Sequence, residues 1–170
     1  MLNHNKHKGF TLIELLIVLA VLGFLITGAV YAVNEARKKS RDTIRLNNMA
    51  EIQKALALYL NENGTYPESD GEGTGGWDTG GDGDFIHELV TKGYIDQDVM
   101  DPLTNNDDGN YRYFLYAAGA RGCNPDGGRF YVLQIRDLET SSGAHSESPG
   151  FACDTDWGLS GEWTAGMYER

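Results

Sequence analysis

The chain has 170 residues and a formal net charge of −11 at pH 7, from 25 acidic and 14 basic side chains. This acidic balance disfavours nonspecific binding to nucleic acid or to anionic lipid, because both require basic surface. The length suffices for one modest domain in addition to an apolar amino-terminal stretch.

The amino-terminal region starts with a short, polar, basic segment, residues 1–9, and continues into a long apolar run. Residues 15–33 carry no charge. A helix rises about 1.5 Å per residue, so about 20 apolar residues cross the roughly 30 Å hydrocarbon core of a bilayer. Residues 10–33 reach that length and predict a transmembrane helix. The one carboxylate in it, Glu14, needs a partner and marks a functional site.

The sequence KGFTLIE at residues 8–14 resembles the processing signal of prepilins, the precursors of type IV pilins and type II secretion pseudopilins. The resemblance implies that prepilin peptidase cuts between Gly9 and Phe10 and that the new amino group of Phe10 is methylated. It also implies that Glu14 pairs with the terminal ammonium of a neighbouring subunit. Opposite charges that meet in a low dielectric lower the free energy needed to bury each of them. Loss of the two leader lysines changes the net charge from −11 to −13.

Three other interpretations of this segment compete: a plain membrane anchor, a secretory signal peptide cut after Ala32, and a buried core helix. A plain anchor explains neither Glu14 nor the Gly9–Phe10 junction. A secretory signal has a shorter apolar core, and a glycine-rich chain of this length offers little to bury such a helix. The prepilin interpretation is therefore favoured.

Residues 34–61 continue the helical pattern with an amphipathic character. The apolar stripe consists of Met49, Ile52, Leu56 and Tyr59 or Leu60. Spacings of three and four predict one helix face that packs on a small sheet. Nothing interrupts the pattern from Thr11 to Asn61, so one continuous helix is expected, with Asn63-Gly64 as its end.

A basic cluster follows the apolar run and consists of Arg37, Lys38, Lys39, Arg41 and Arg45. By the positive-inside rule these five charges, against two in the leader, would place the amino terminus outside. The processing signal implies a cytoplasmic leader instead. The cluster is therefore expected along the filament stem, where it neutralises acidic neighbours or lipid headgroups. A simple solvated face is the alternative.

The next segment, residues 69–84, is rich in glycine and aspartate and is expected to be a flexible, solvated loop. Its acidic residues Asp70, Asp78, Asp82 and Asp84 could bind calcium, but their spacing fits no EF-hand loop. Residues 85–92 predict a short helix stopped by Gly93, with His87 at the surface or half-buried and without a catalytic partner.

A second set of residues resembles the major pseudopilin of type II secretion. The matching positions are Asn63, Tyr66, Pro67, Leu89, Gly93, Tyr94, Ile95, Asp101, Pro102, Tyr111 and Tyr113. Many members of that group hold the carboxy-terminal region with calcium, for which the best candidate ligands here are Asp101, Asn105, Asp107 and Asp108. No calcium site is assigned, because a disulfide can take its place.

The carboxy-terminal part predicts strands. Residues 111–118 and 130–138 are rich in aromatic and branched side chains and predict a hairpin that lies across the helix. In the second strand one side carries Tyr131, Leu133 and Ile135, and the other carries Gln134 and Arg136. This alternation predicts one buried and one solvated face. Residues 153–170 predict a last, irregular strand.

The two cysteines, Cys123 and Cys153, lie far beyond the apolar run. An exported head would be in an oxidising compartment, so they predict one disulfide. A metal pair is the alternative, but no further Cys or His has ligand spacing nearby. A closed loop of about 30 residues would stabilise the head by roughly 3 to 4 kcal/mol.

Together these features predict an α+β protein with a type IV pilin-like fold, in which a long amino-terminal helix packs on a small antiparallel sheet. The expected domains are a cleaved leader (1–9), a membrane and filament-core helix (10–33), an amphipathic stem (34–61) and a globular head (62–170) that contains the disulfide region. No nucleophile, base and orienting group can be assembled, so a structural subunit is predicted and not an enzyme.

The predicted subunit is inserted once in the bacterial cytoplasmic membrane with its head outside. It polymerises with itself and sister pilins into a type IV pilus or type II secretion pseudopilus, after contact with prepilin peptidase and an inner-membrane assembly platform. Neither a cofactor nor nucleic acid is expected as a partner.

Two alternatives from other functional classes remain. The first is a minor pilin or adhesin that binds a ligand through an aromatic surface with Trp157 and Trp163. The second is a DNA-uptake pilin with a local basic patch at Arg112, Arg121 and Arg129.

Overall fold

The computed structural model describes residues 10–71, 73, 75–80, 83–103 and 109–170. Its helices are α1 (Leu12–Asn63) and the short α2 (Glu88–Thr91), and its strands are β1 (Asp78–Thr79), β2 (Tyr111–Tyr116), β3 (Phe130–Ile135) and β4 (Trp163–Tyr168). Three single-turn 3₁₀ helices lie at Ala120–Gly122, Pro125–Gly127 and Trp157–Leu159. A long amino-terminal helix and a small antiparallel sheet confirm the predicted α+β class.

The chain divides into two compact units, Met1–Lys38 and Lys39–Arg170. The described part of the first unit is the apolar half of α1 with the residues just before it. The second unit contains the amphipathic half of α1, all four strands and two clusters of buried hydrophobic residues.

The sheet has the order β1-β2-β3-β4, and every neighbouring pair is antiparallel. Leu133 at the centre of β3 lies opposite Tyr113 of β2 on one side and Ala165 of β4 on the other. β4 is a regular six-residue strand, so the expectation of an irregular last strand was wrong. The strand is regular because all six of its residues pair with β3, although its sequence contains a glycine, which disfavours strands.

The inner face of the sheet packs on the predicted stripe of α1. Met49, Ile52, Leu56 and Tyr59 are all buried, which confirms the stripe, and Ala55 is buried with them. The same cluster contains Tyr111, Tyr113, Leu115, Tyr131, Leu133, Ile135, Trp163 and Ala165 from the sheet. These positions alternate along each strand, as expected for residues on one face.

The outer face of the sheet is covered as well, which corrects the prediction for β3. All six residues of β3 are buried, and Gln134, predicted to be solvated, has no exposed surface. Its amide group donates to the Trp157 carbonyl at 2.8 Å and lies 3.1 Å from the Thr164 hydroxyl. The segment around Trp157 therefore covers a face that the alternation assigned to solvent.

The glycine-rich segment before α2 is only partly a loop. Its residues Asp78 and Thr79 form β1, pair with β2 and are buried, whereas a solvated loop was expected. The Asp78 carboxylate accepts a hydrogen bond from the Ile86 N–H at 3.1 Å. The Trp77 ring also packs on Phe114, with 5.6 Å between the ring centroids. These contacts order a segment whose composition predicts flexibility.

Several element boundaries differ from the predicted ones. The end of α1 is the predicted one, because the helix stops at Asn63 and Gly64 has the positive φ of 75° that favours glycine. The helix predicted at 85–92 is reduced to four residues, because Ile86 has a φ of 50°, which no helical residue adopts. The strands β2 and β3 end at Tyr116 and Ile135, before the predicted ends.

Candidate functional site

The amino-terminal end of α1 is closed by two side chains, Thr11 and Glu14. The Thr11 hydroxyl accepts a hydrogen bond from the Glu14 N–H at 3.3 Å. One Glu14 carboxylate oxygen, Oε2, accepts from the Thr11 N–H at 2.9 Å and from the Thr11 hydroxyl at 2.8 Å. This reciprocal pattern is a capping box, which provides partners for backbone groups that the helix itself leaves free.

The capping box gives Glu14 a role within its own chain, besides the intersubunit role implied by the resemblance. The threonine and glutamate spacing that defines the box is visible in the sequence, but it was not used in the prediction. Phe10, the expected mature amino terminus, is 77% exposed. Gly9, on the other side of the predicted cut, lies outside the described residues. The intersubunit role of Glu14 stays a prediction.

The apolar half of α1 buries none of its large side chains. Each large hydrophobic residue between Leu12 and Val33 is between 45% and 81% exposed. A soluble surface rarely carries an apolar patch of this size, so these side chains require lipid or protein around them. Of the helices in the described part of the chain, α1 is the one long and apolar enough to cross a membrane.

Thr27, the most polar residue of the uncharged run, does not disturb this apolar surface. Its hydroxyl donates to the Gly23 carbonyl at 2.9 Å, one turn earlier in the helix. A side-chain hydroxyl with an internal acceptor does not need water, and it is therefore tolerated in lipid or in a protein core.

The basic cluster at residues 37–45 does not form a single solvated face. Arg45 is 2% exposed, and its guanidinium contacts three carboxylates: Asp101 at 2.7 and 3.0 Å, Asp42 at 2.7 Å and Glu139 at 3.0 Å. Arg41 also binds Glu139 through Nε and Nη2, each of which lies 2.5 Å from one carboxylate oxygen. The alternative of a solvated face is thus wrong for these two arginines, because acidic partners from distant segments of the head surround them.

Hydrogen bonds hold the carboxylates of this network in the charged form. Burial raises the pKa of the Asp101 carboxyl, but bonds from Arg45 and Asn110 outweigh it, so the pKa lies below its ordinary value. Burial also raises the pKa of Asp42, but hydrogen bonds from the Glu139 N–H and the Thr140 hydroxyl lower it by more. Arg41 is the main reason why the pKa of Glu139 is also lowered.

Arg37 and Lys39, the remaining exposed members of the cluster, differ from Arg41 and Arg45. Neither forms an ion pair with any other residue in the described parts of the chain. Lys38 is half-buried and binds Glu35 at 2.9 Å. The cluster therefore divides into an internal part that stabilises the head and an external part that faces solvent.

The carboxy-terminal half contains the predicted disulfide between Cys123 and Cys153. Cys123 is buried in the outer aromatic cluster, which it forms with Tyr116, Phe130, Val132 and Trp157. The Cys153 sulfur lies 3.5 Å from the Tyr168 hydroxyl of β4. The bond thereby connects the turn after β2 to the segment that covers the outer face of the sheet.

The calcium ligands considered in the sequence are mostly engaged or outside the described residues. Asp101 accepts bonds from Arg45, Asn110 and Leu103, so it is not an open ligand. Asp78 is buried and accepts from Ile86. Asp82, Asn105, Asp107 and Asp108 lie outside the described residues. Within residues that the structure describes, no group of three or more His, Cys, Asp or Glu side chains could hold a metal ion.

The aromatic and basic surfaces proposed for other functions have structural partners. Trp157 and Trp163 are 3% and 4% exposed, so neither contributes the binding surface expected of an adhesin. Arg129, one of the three arginines of the suggested basic patch, forms ion pairs with Glu68 and Glu169. The two tryptophans are therefore part of the core, and the positive charge of Arg129 is balanced by acidic neighbours.

His87, the residue just before α2, has an exposed side chain that lies 3.1 Å from the Asp98 carboxylate. A lone surface pair of this kind does not supply the nucleophile, base and orienting group that catalysis requires. The position agrees with the expectation that His87 is at the surface.

Comparison with known proteins gives one match, at the amino terminus. The family model of the prokaryotic N-terminal methylation motif matches residues 4–30. That segment includes Phe10, the capping box and most of the apolar half of α1. No curated protein and no solved structure matches the chain.

The methylation motif and the exposed apolar helix together support a type IV pilin-like prepilin. The motif points to a membrane-anchored structural subunit rather than to an enzyme.

Proposed function

We propose that this chain is a pilin-type subunit that prepilin peptidase cuts between Gly9 and Phe10 and that polymerises into an extracytoplasmic filament. The observation that carries the proposal is the methylation motif at residues 4–30, located on a helix whose apolar side chains are exposed. Before assembly the subunit crosses the bacterial cytoplasmic membrane once, with its head outside.

The exposed apolar half of α1 supports polymerisation, because it cannot stay exposed once it leaves the bilayer. Lipid tails shield apolar side chains as well as protein does, so helices gain little from the hydrophobic effect by associating in the membrane. In water each large apolar side chain would cost about 1.5 to 3 kcal/mol unless it is buried. Apolar helices that pack against one another in a filament core meet that requirement.

Glu14 is proposed to act at the assembly step. Cleavage would convert the Phe10 amide to an ammonium, which keeps its charge when methylated. A carboxylate in apolar surroundings is tolerated when it meets an opposite charge, so Glu14 is proposed to pair with the Phe10 ammonium of a neighbouring subunit. The charge pair would set the axial register of the filament.

The proposed boundaries follow the predicted ones: a leader at 1–9, a membrane and filament-core helix at 10–33, a stem at 34–61 and a head at 62–170. The proposed partners are other copies, sister pilins, prepilin peptidase and an inner-membrane assembly platform. Between a type IV pilus and a type II secretion pseudopilus, the residue pattern from Asn63 to Tyr113 favours the pseudopilus.

The test is the intact mass and amino-terminal sequence of the protein isolated from membranes of a bacterium that has prepilin peptidase. A chain that starts at methylated Phe10 is expected. A chain that still starts at Met1 would instead indicate a plain anchor, and one that starts at Val33 a secreted domain. Either of these results would overturn the proposed processing and assembly.

A further inference from the structure

An open groove of about 450 Å³ lies on the head, between α1 and the segment at residues 96–100. Three carboxylates line it: Glu51 on the helix, and Asp96 and Asp98 on the facing segment. Ile44 and Met100, which are 44% and 48% exposed, add apolar surface. The groove therefore combines negative charge with exposed apolar side chains.

The wall of the groove is held in place by Asn48. Its side-chain amide donates to the Tyr111 hydroxyl at 3.0 Å and lies 3.4 Å from the Met100 carbonyl. These bonds connect α1 to the start of β2 and to the facing segment. A groove with a fixed wall needs little reorganisation when it binds a partner, which lowers the cost of association.

Two of the three groove carboxylates have no basic partner in the described part of the chain. The third, Asp98, contacts His87 at 3.1 Å. Glu51 and Asp96 form no ion pair with any residue of the described ranges, and both are exposed. The electrostatic field at the groove is consequently negative and suits a basic partner.

We propose that this groove binds Lys39, an external basic residue, of a second copy of the chain. The proposal rests on the proposed function, because it specifies one contact between subunits of the filament. With a net charge of −11, or −13 after loss of the leader, copies repel each other overall, so a stable contact must bring unlike charges together. Lys39 is an exposed cation without an ion pair in the described residues, and it matches the charge of the groove.

The positions of the two surfaces on the same helix imply a staggered contact. Lys39 precedes Asn48 by nine residues, which is about 14 Å along a helix. The copy that donates Lys39 must therefore be shifted toward the head by about that distance. A contact between two different surfaces, related by a shift, does not close on itself and propagates as a filament.

Cysteine crosslinking in the full, processed chain tests this contact. A chain with both Lys39→Cys and Glu51→Cys has its new cysteines about 18 Å apart along one helix, too far for a bond within one copy. Oxidation of assembled filaments is expected to produce a ladder of linked copies, because each copy uses one cysteine toward each neighbour. Each single variant should stop at dimers or monomers.

A matched control replaces the groove position by one on another face. Ala57 is exposed and lies about 120° around the helix from Glu51. The pair Lys39→Cys and Ala57→Cys is expected to give no ladder. A ladder of equal intensity from this control would overturn the proposal, because it would show nonspecific collision.

Charge reversal gives an independent measurement. Lys39→Glu and Glu51→Lys are each expected to raise the protein concentration needed for assembly by roughly two- to fivefold, which corresponds to the loss of one exposed ion pair. The double variant is expected to restore most of the loss, since the pair is then present with its signs exchanged. Equal effects of the single and double variants would overturn the proposal.

The possible outcomes separate this contact from the proposed function. Filaments without a ladder in the groove pair would overturn the groove contact and leave polymerisation standing. A ladder that stops at dimers would indicate a closed, two-fold contact and would likewise overturn the staggered one. A chain that is not processed at Phe10 and forms no filaments would overturn both.

Discussion

Arg45 and Asp101 form a two-point ion pair in the head, with Nε 2.7 Å from Oδ2 and Nη2 3.0 Å from Oδ1. The side chains are only 3% and 9% exposed. Arg45 is on α1, and Asp101 precedes β2 by ten residues. The pair therefore fixes the helix to a segment that is 56 residues away in sequence.

Loss of Arg45 should strongly destabilise the head. Arg45→Ala leaves Asp101 and Asp42 buried without their cation, and breaking a buried pair from one side costs about 3 to 5 kcal/mol. The measurement is urea unfolding of the detergent-solubilised chain, followed by circular dichroism. Lys54→Ala, at an exposed position of the same helix, is the control and should change the free energy of unfolding by less than about 0.5 kcal/mol. Equal stability of the two variants would contradict the role of Arg45.

The same network makes the head sensitive to acid. The pKa values of Asp42, Asp101 and Glu139 are lower in the folded state than the ordinary values of about 3.9 for Asp and 4.3 for Glu. The unfolded chain thus binds more protons near pH 4, and stability rises with pH there. The stabilisation is fully present above about pH 5 and is lost as the pH falls through the folded values, below about pH 4.

Unfolding free energies measured from pH 3 to pH 7 check this dependence. Asp101→Asn removes one titrating group, so its stability is expected to be lower at pH 7 and to change less between pH 5 and pH 3. A variant that keeps the full acid dependence of the native chain would show that Asp101 does not contribute to it.

The disulfide should stabilise the outer aromatic cluster. Its cysteines are 30 residues apart, and loss of such a crosslink costs roughly 3 to 4 kcal/mol on the chain-entropy model. Cys123→Ala together with Cys153→Ala is expected to lower the urea midpoint and to shift the fluorescence of Trp157 toward that of a solvated indole. An unchanged midpoint would show that aromatic packing alone holds the carboxy-terminal segment.

Glu14 has two candidate roles, in capping and in assembly, and two substitutions separate them. Glutamine also functions at the third position of a capping box, so Glu14→Gln keeps the cap and removes the charge. Glu14→Ala removes both. If the charge is needed, both variants are processed at Phe10 but neither enters filaments. Normal filaments from Glu14→Gln would restrict the residue to capping and contradict the charge-pair proposal.

The helix stripe provides a matched pair of core and surface leucines. Leu56 is fully buried against the sheet, whereas Leu58, two residues later, is 54% exposed. Leu56→Ala is expected to cost about 2 to 5 kcal/mol, because it removes packed methyl groups and leaves a cavity. Leu58→Ala should cost less than about 0.5 kcal/mol. Thermal unfolding of both variants in the same detergent checks the difference, and similar losses would contradict the assigned helix face.

Features that depend on neighbours in sequence could be predicted well. The long helix follows from an uninterrupted apolar and then amphipathic pattern, and the stripe from Met49 to Tyr59 follows from spacings of three and four. The strands β2 and β3 follow from aromatic and branched residues on either side of a turn. The capping box could also have been found in this way, because Thr11 and Glu14 are three residues apart.

Features that depend on distant partners could not be predicted in the same way. Arg45 looked like one more solvated cation of a basic cluster, since its partners Asp101 and Glu139 come from other parts of the chain. Gln134 looked solvated by alternation, since the segment that covers it follows about 20 residues later. In both cases burial was decided by a contact that carries no local signature.

The sequence was thus sufficient for the amino-terminal methylation motif, the apolar half of α1, the helix face and the pairing of the two cysteines. Each of these needs only local periodicity, a short motif or a count. The tertiary structure alone decided that Arg45 and Gln134 are internal, that Asp78 is in a strand and that the groove beside Glu51 is acidic. The physical reason is that a polar group can be buried only where the fold supplies its hydrogen-bond partners, and those partners come from elsewhere in the chain.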